Sequence, residues 1–390
     1  MTRALLVGSG AGLIEVAQKI TEYGHSLTVL GGKKNDPCHQ IADDSMLVDY
    51  SDLTSSLEAT QDKEFDFVIP GSNDIAYETA WIIADRLHIK SFDTQRSITQ
   101  LHNKKKFRSL LQELELNQPQ IYTKIDLASK NRSLMDGKFL IVKPELSFSG
   151  QGISIVQNER ALIDAMTTAS QVSRNKKCLI EDYIEGQLYS VSTFLNNGEI
   201  YFHAFANEYC TVNPFAVNAS TTPSDLKKDI KESVLGSVKK ITKHLGLLNG
   251  LLHIQFIVDY FGQVYLIESM RRLIGDFYAK KIMLSAGIDY YDFYLRPYLN
   301  LDYDENLVVA KPKSVSRQII AGSENFNFEG LTNRENLNIL EYIPLAKSGD
   351  AITKFPDGKA GIVFFENTSA DIDVGSEFLV RRRVKYGRDW

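Results

Sequence analysis

Up to about residue 95 the chain alternates short apolar runs with segments of helical length, and strand, helix, strand units of that kind close into a parallel sheet. The run Ala4 to Gly8 is followed by a glycine turn and a helix ending near Tyr23 and Gly24; Ser26 to Gly32 supplies the next strand. Further strands are expected at Met46 to Tyr50 and Phe65 to Gly71, with helical stretches around Leu53 to Ala59 and from Asn73 to about Leu87. An open α/β, Rossmann-like domain follows from this order. Its first turn, GSGAG, does not suit a dinucleotide: Gly12 falls one residue early, and the second strand ends in Gly31-Gly32 where an acidic residue would hold a ribose. A loop facing some other small molecule and a plain tight turn both remain open.

The pattern then changes. A basic helix start, Asn103 to Leu116, leads to Pro119, where the linker out of the first domain is placed. From Lys138 the strands are short and hairpin-like, with a helix around Glu159 to Ser173 and a strand at Cys178 to Ile184, as in a small α+β lobe. Two more hairpins turn at Asn197-Gly198 and Phe261-Gly262, and between them lies a helix from Asp225 to Leu245 ended by Gly246. From about Leu301 short strands separated by Gly and Pro read as a β-rich appendage.

Charge narrows the function. The 390 residues carry 44 Lys+Arg against 49 Asp+Glu, a net charge of −5, which excludes a basic nucleic-acid binder. Cys38, Cys178 and Cys210 lie far apart and form no zinc or redox motif, so a reducing, cytoplasmic home is expected. Glu15 and the glycines interrupt the N-terminal apolar run, and nothing approaches about 18 uninterrupted apolar residues, so neither a targeting segment nor a membrane span is read.

Three segments carry chemistry jointly. In IVKPELSFSGQGISIV, Lys143 ends a strand beside a loop of Ser147, Ser149, Gly150 and Gly152: one fixed ammonium plus backbone N–H groups that glycine leaves open to phosphate oxygens. An ordinary hairpin with a soluble tip would look similar. In LIEDYIEG a strand passes through Glu181 toward Tyr183, Ile184 and Gly186, able to present backbone and an acidic side chain to an adenine edge; an exposed acidic edge is the plain alternative. In HIQFIVDYFGQVYLIESMRR, Gln255 and Glu268 can sit side by side on adjacent strands as oxygen ligands for magnesium, with Arg272 reaching a transferring phosphoryl group. A solvated amphipathic hairpin is the alternative there.

Taken together, these segments resemble the ATP-grasp superfamily over roughly residues 65 to 275. The resemblance implies an ATP-grasp fold: an α/β lead domain (1–120), a small lobe (121–188), a large lobe (189–300) and a β-rich C-terminal region (301–390). It implies an ATP-dependent ligase that activates a carboxylate as an acyl phosphate and joins it to an amine, with ATP and Mg2+ as cofactors and Mn2+ as a substitute metal. Lys104 and Lys143 match the phosphate lysines, Glu181 with the backbone of Tyr183 and Ile184 the adenine hinge, Gln255 and Glu268 the metal ligands, and Arg272 the phosphoryl arginine. His253 stands where many relatives have a histidine and reads as structural. Two departures stand out: Met270 replaces a metal-ligating Asn with soft sulfur, and Leu188 replaces the glutamate of the ribose contact.

Small-molecule acid and amine partners are implied, without nucleic acid or membrane, and a homodimer stays open. A bicarbonate-dependent carboxylase and a nucleotide binder without turnover are the rival functions. The aromatic run Tyr290 to Tyr294 reads as packing, Arg381 to Arg383 as a solvated edge, and Asp276 and Tyr278 as candidates to face substrate. Removing Lys143 or Glu268 is expected to stop ADP release and to spare the fold.

Overall fold

A computed structural model of the chain describes residues 1–123, 137–147, 150–332 and 337–366; Ser149 and Arg381 to Arg383 lie outside the described residues. The lead domain is a parallel four-stranded sheet in the order β3-β2-β1-β4, from β1 (Arg3–Val7), β2 (Ser26–Leu30), β3 (Asp44–Met46) and β4 (Phe67–Pro70). Ala4, Leu5, Leu6 and Val7 are all fully buried, which explains why β1 reads as an unbroken apolar run: both faces are covered. The strand expected at Met46 to Tyr50 instead ends at Met46, where the Val48 N–H turns back to the Met46 carbonyl.

Capping sets the two helices that serve the site. Asn73 accepts from the Ala76 N–H at 2.9 Å and starts helix Asp74–Arg86, while Asn103 accepts from the Lys106 N–H at 3.0 Å and starts helix Lys104–Glu113. Each cap fixes the first helical residue, Asp74 in one and Lys104 in the other, at the edge of a common cleft. The helix read from Asp225 begins three residues later, at Lys228, and ends at Gly246 in a left-handed conformation, φ 58°.

The small lobe is an antiparallel sheet ordered β5-β8-β6-β7, from β5 (Ile121–Tyr122), β6 (Leu140–Pro144), β7 (Ser154–Val156) and β8 (Cys178–Asp182), covered by helix Glu159–Val172. The large lobe is built on β9 (Gly186–Asn196), β10 (Glu199–Tyr209), β11 (Ala219–Thr222), β12 (Gly250–Asp259) and β13 (Val264–Met270). Next come β14 (Val315–Ile320), a small pair of β15 (Phe326–Asn327) with β17 (Ala351–Ile352), β16 (Asn338–Pro344) and β18 (Gly361–Glu366). The large sheet runs β13-β12-β9-β10-β11-β14-β18-β16, so the C-terminal strands are hydrogen-bonded onto the large lobe through β11 rather than standing apart as an appendage. That continuity brings C-terminal side chains to the cleft.

Tyr290, Tyr291, Phe293 and Tyr294 are buried in the core that joins the lead domain to the large lobe. His253 is fully buried on β12, its Nδ1 2.9 Å from the Ser192 hydroxyl. Burial, with the Lys281 and Arg272 charges adding to it, pulls its pKa down to about 3. A free imidazole protonates near 6.5, so the unfolded chain takes up this proton first as pH falls. The stability held by the neutral ring is therefore complete above about 6.5 and drains away toward 3, by about 1.4 kcal/mol per pH unit. Melting temperature should drop between pH 7 and pH 5 in the wild type and drop less in His253→Gln; parallel curves would clear His253 of this role.

Candidate active site

The cleft between the lead domain, the segment of Ser147 and Gly150 after β6, and the large sheet holds a cavity of about 290 Å3. Gln255 and Glu268 lie directly opposite each other on β12 and β13, beside a bulge at which Phe256 next pairs with Leu266. A bulge there re-aims the neighbouring side chains, and both Gln255 and Glu268 face the cavity. Lys104 bridges the two sides: its Nζ is 2.9 Å from Glu268 and donates to the Ser147 carbonyl at 3.1 Å. Burial pushes the Glu268 carboxyl up, but Lys104 outweighs it and holds the pKa below the ordinary range, so Glu268 is ionised at neutral pH.

Arg272 extends from the end of β13 and is buried; its Nε is 2.5 Å from Asp74 and its Nη1 donates to the Leu273 carbonyl at 3.0 Å. Its neighbour Arg271 points elsewhere, pairing with Asp93 at 2.6 Å and with the Leu251 carbonyl at 2.7 Å, and serves as a structural tie.

Residues 138–280 match a family model, that of the ATP-grasp domain. The chain contains an ATP-grasp domain. Over 98% of its length, and 97% of the relative's, it is 26% identical to a formate-dependent phosphoribosylglycinamide formyltransferase of Prochlorococcus marinus (strain MIT 9312). Two solved structures share the fold over nearly the whole chain. An L-amino acid ligase from Bacillus licheniformis superposes with a TM-score of 0.80 at 16% identity, covering 98% of this chain and 99% of that one. A phosphoribosylglycinamide synthetase from Anaerococcus prevotii gives 0.75 at 19%, covering 98% and 100%.

Within the ATP-grasp domain, Glu181 departs from the adenine-hinge expectation. Its carboxylate is fully buried, bound by Lys143 and by Arg108 with Nε at 2.6 Å. Burial opposes its charge, yet Lys143 and Arg108 keep the carboxyl below its usual range; burial draws the Lys143 ammonium below its own, with Glu181 opposing. A carboxylate engaged on both oxygens is not presented to an adenine amino group. Tyr183 and Ile184 are half-buried on the segment joining β8 to β9, and the Tyr183 N–H donates to the Phe139 carbonyl at 3.0 Å.

After β6, Gly150 lines the cavity at φ 68°, and a Cβ there would stand 2.3 Å from the Phe215 carbonyl oxygen. Gly152, at φ 71°, instead packs against Pro144 and Val172. Its glycine answers a packing demand, away from the cavity.

Gln255 and Glu268 suit Mg2+, which takes one or two protein oxygens and completes its shell with phosphates and water. Among the described residues, no group of three His, Cys, Asp or Glu converges to hold a metal without that help. Met270 is buried and lines the same cavity, two residues from Glu268 on the same strand face.

Four residues of the site escaped the sequence reading. Arg108 stands four residues after Lys104, a spacing that puts both on one helix face, and Asp74 follows the Asn73 cap. Those two had a local signal. Glu208 on β10 and Arg317 on β14 line the cavity with nothing in their neighbouring sequence to mark them.

A second cavity, about 450 Å3, opens over the lead domain's glycine turn. Gly8, Gly10, Lys33, Asp36 and Asp49 line it, and it shares Ser72 and Asn73 with the first. The glycine turn thus faces open space beside the candidate active site.

Proposed function

We propose that the protein is an ATP-dependent ligase that activates a small carboxylate as an acyl phosphate and passes the acyl group to an amine. The observation that carries this reading is the convergence of Gln255, Glu268 and Arg272 at one cavity beside Ser147 and Gly150, with Lys104 bound to Glu268 and to the Ser147 carbonyl at its edge. An acid oxygen attacks the γ-phosphorus, the bond to the β,γ-bridging oxygen breaks, and ADP leaves with that electron pair. The acceptor nitrogen then attacks the acyl carbon, inorganic phosphate departs, and the nitrogen's proton passes to solvent.

Lys104 and Lys143 align the phosphates, and Arg272, fixed by Asp74, steadies the transferred phosphoryl through its planar fork. Gln255 and Glu268 would hold Mg2+, which would supply neutralisation of the phosphate charge. Exclusion of water by the walls around Ser147 and Gly150 protects the acyl phosphate from hydrolysis. The small lobe (121–188) and large lobe (189–300) hold the nucleotide between them. The acceptor enters from the cavity over the glycine turn, and the C-terminal strands help select the acid. A cytoplasmic setting suits this chemistry, and among the described residues no helix is long and apolar enough to cross a membrane.

The test is ADP release over a matrix of small acids, with formate and bicarbonate included, and amines, with mass spectrometry of the product. An amide-containing product supports the ligase. Calorimetric ATP binding without ADP from any pair would overturn it in favour of a nucleotide binder.

A further inference from the structure

Most charged side chains around the smaller cavity are matched in pairs. Arg272 holds Asp74 at 2.5 Å, Lys359 holds Asp276 at 2.5 Å, and Lys104 holds Glu268 at 2.9 Å. Glu208 and Arg317 are the exceptions. Both line the cavity, both are about as buried as core residues at 2% exposure, and neither has an ion-pair partner among the described residues.

Glu208 is bound by neutral groups, the Ser190 hydroxyl at 2.5 Å and the Gln255 amide at 3.2 Å. Lys281 is a cation near enough to feel Glu208, but no ion pair joins the two among the described residues. That ammonium is fully buried, donates to the Ser220 hydroxyl at 2.6 Å and lies 3.4 Å from the Tyr278 ring centroid. Burial draws its pKa well below that of a free lysine; Glu208 opposes the shift and Arg317 adds to it.

Arg317 donates through Nη1 to the Asp276 carbonyl at 2.8 Å, while its buried Nε has no partner. Asp276 and Phe277 sit at φ 57° and 52°, left-handed values that bulky residues rarely adopt. The two contacts to Asp276, from Lys359 on its side chain and Arg317 on its carbonyl, hold this strained segment at the cavity wall.

A buried carboxylate and a buried guanidinium, each short of its counter-charge, face one small chamber. Leaving such charges uncompensated is unfavourable, and a ligand that carries both opposite charges relieves both at once. We propose that the acid activated here is a small α-amino acid, its ammonium received by Glu208 and its carboxylate steered by Arg317 toward the phosphoryl held at Arg272. A volume of about 290 Å3, part of which the phosphoryl end must fill, limits the side chain to a small one. Formate and bicarbonate carry no positive charge to answer Glu208.

This inference rests on the ligase reading, and one experiment separates the two. With wild-type protein, MgATP and a fixed panel of amines, ADP release is compared for glycine, alanine and serine against acetate, propionate, formate and bicarbonate. A site built around a charged partner should favour alanine over propionate in kcat/KM by at least ~100-fold. Glu208→Gln, nearly the same shape, should cut that ratio at least tenfold. A merely structural role, or one confined to the neighbouring metal ligand, lowers both substrates together and leaves the ratio unchanged, which overturns the assignment. ADP release with formate or bicarbonate but with no amino acid overturns the amino-acid proposal and leaves the ligase standing. Silence with every acid overturns both.

Discussion

Glu268→Ala is expected to lower substrate-dependent ADP release by about 10^2–10^3-fold, the effect of removing one fixed charge from a site that works by electrostatic alignment. Glu268 lies opposite Gln255, is the proposed oxygen ligand for Mg2+, and is the counter-charge 2.9 Å from Lys104. Removing it takes away the proposed metal ligand and frees that lysine. Lys104 keeps the Ser147 carbonyl as an anchor, and neither residue is part of the apolar core, so melting temperature should stay close to that of the wild type. Turnover within about threefold of wild type, in a variant that melts normally, would remove Glu268 from the catalytic machinery.

Arg108→Ala should destabilise the fold by about 3–5 kcal/mol, the usual result of breaking a buried ion pair from one side. Arg108 and Glu181 are both fully buried, and the guanidinium joins helix Lys104–Glu113 to β8 of the small lobe. Without it Glu181 keeps Lys143 alone. Urea unfolding is the measurement, and the double variant Arg108→Ala/Glu181→Ala should be less destabilised than the sum of its parts, because the stranded carboxylate is gone. A loss below about 1 kcal/mol in the single variant would show that the triad is not structural. The same geometry revises the expectation for Lys143→Ala. That change strips a partner from a buried carboxylate, so lost activity there would be mixed with lost stability, and Glu268 is the cleaner probe.

How far the sequence could be read follows from the range of the forces involved. The Gln255–Glu268 pairing was legible because a tight hairpin around Phe261-Gly262 sets strand register locally. The helix starts at Asn73 and Asn103, and the helix-ending glycine after Leu245, were legible for the same reason: such signals act within about one turn. Glu181 was misread because an acidic residue on a strand looks the same whether it faces an adenine or two buried cations. The answer lay in Arg108, 73 residues away in sequence. Gly152 resembled a phosphate-loop glycine, yet its φ and its neighbours Pro144 and Val172 tie it to packing.

By itself, the sequence determined the alternating lead domain, the switch to hairpins, and the motif set of an ATP-grasp domain with Lys104, Lys143, Gln255, Glu268 and Arg272 in order. These are properties of short windows, where periodicity and turn chemistry act between near neighbours. Only the tertiary structure decided that the C-terminal strands continue the large sheet, that Arg108 and Lys143 claim Glu181, and that Glu208 and Arg317 face each other's chamber unpaired. Those outcomes depend on which charges are left without a partner once the strands have been laid side by side. Burial makes that shortage matter, because a charge that water would screen at the surface must find its partner in the cleft.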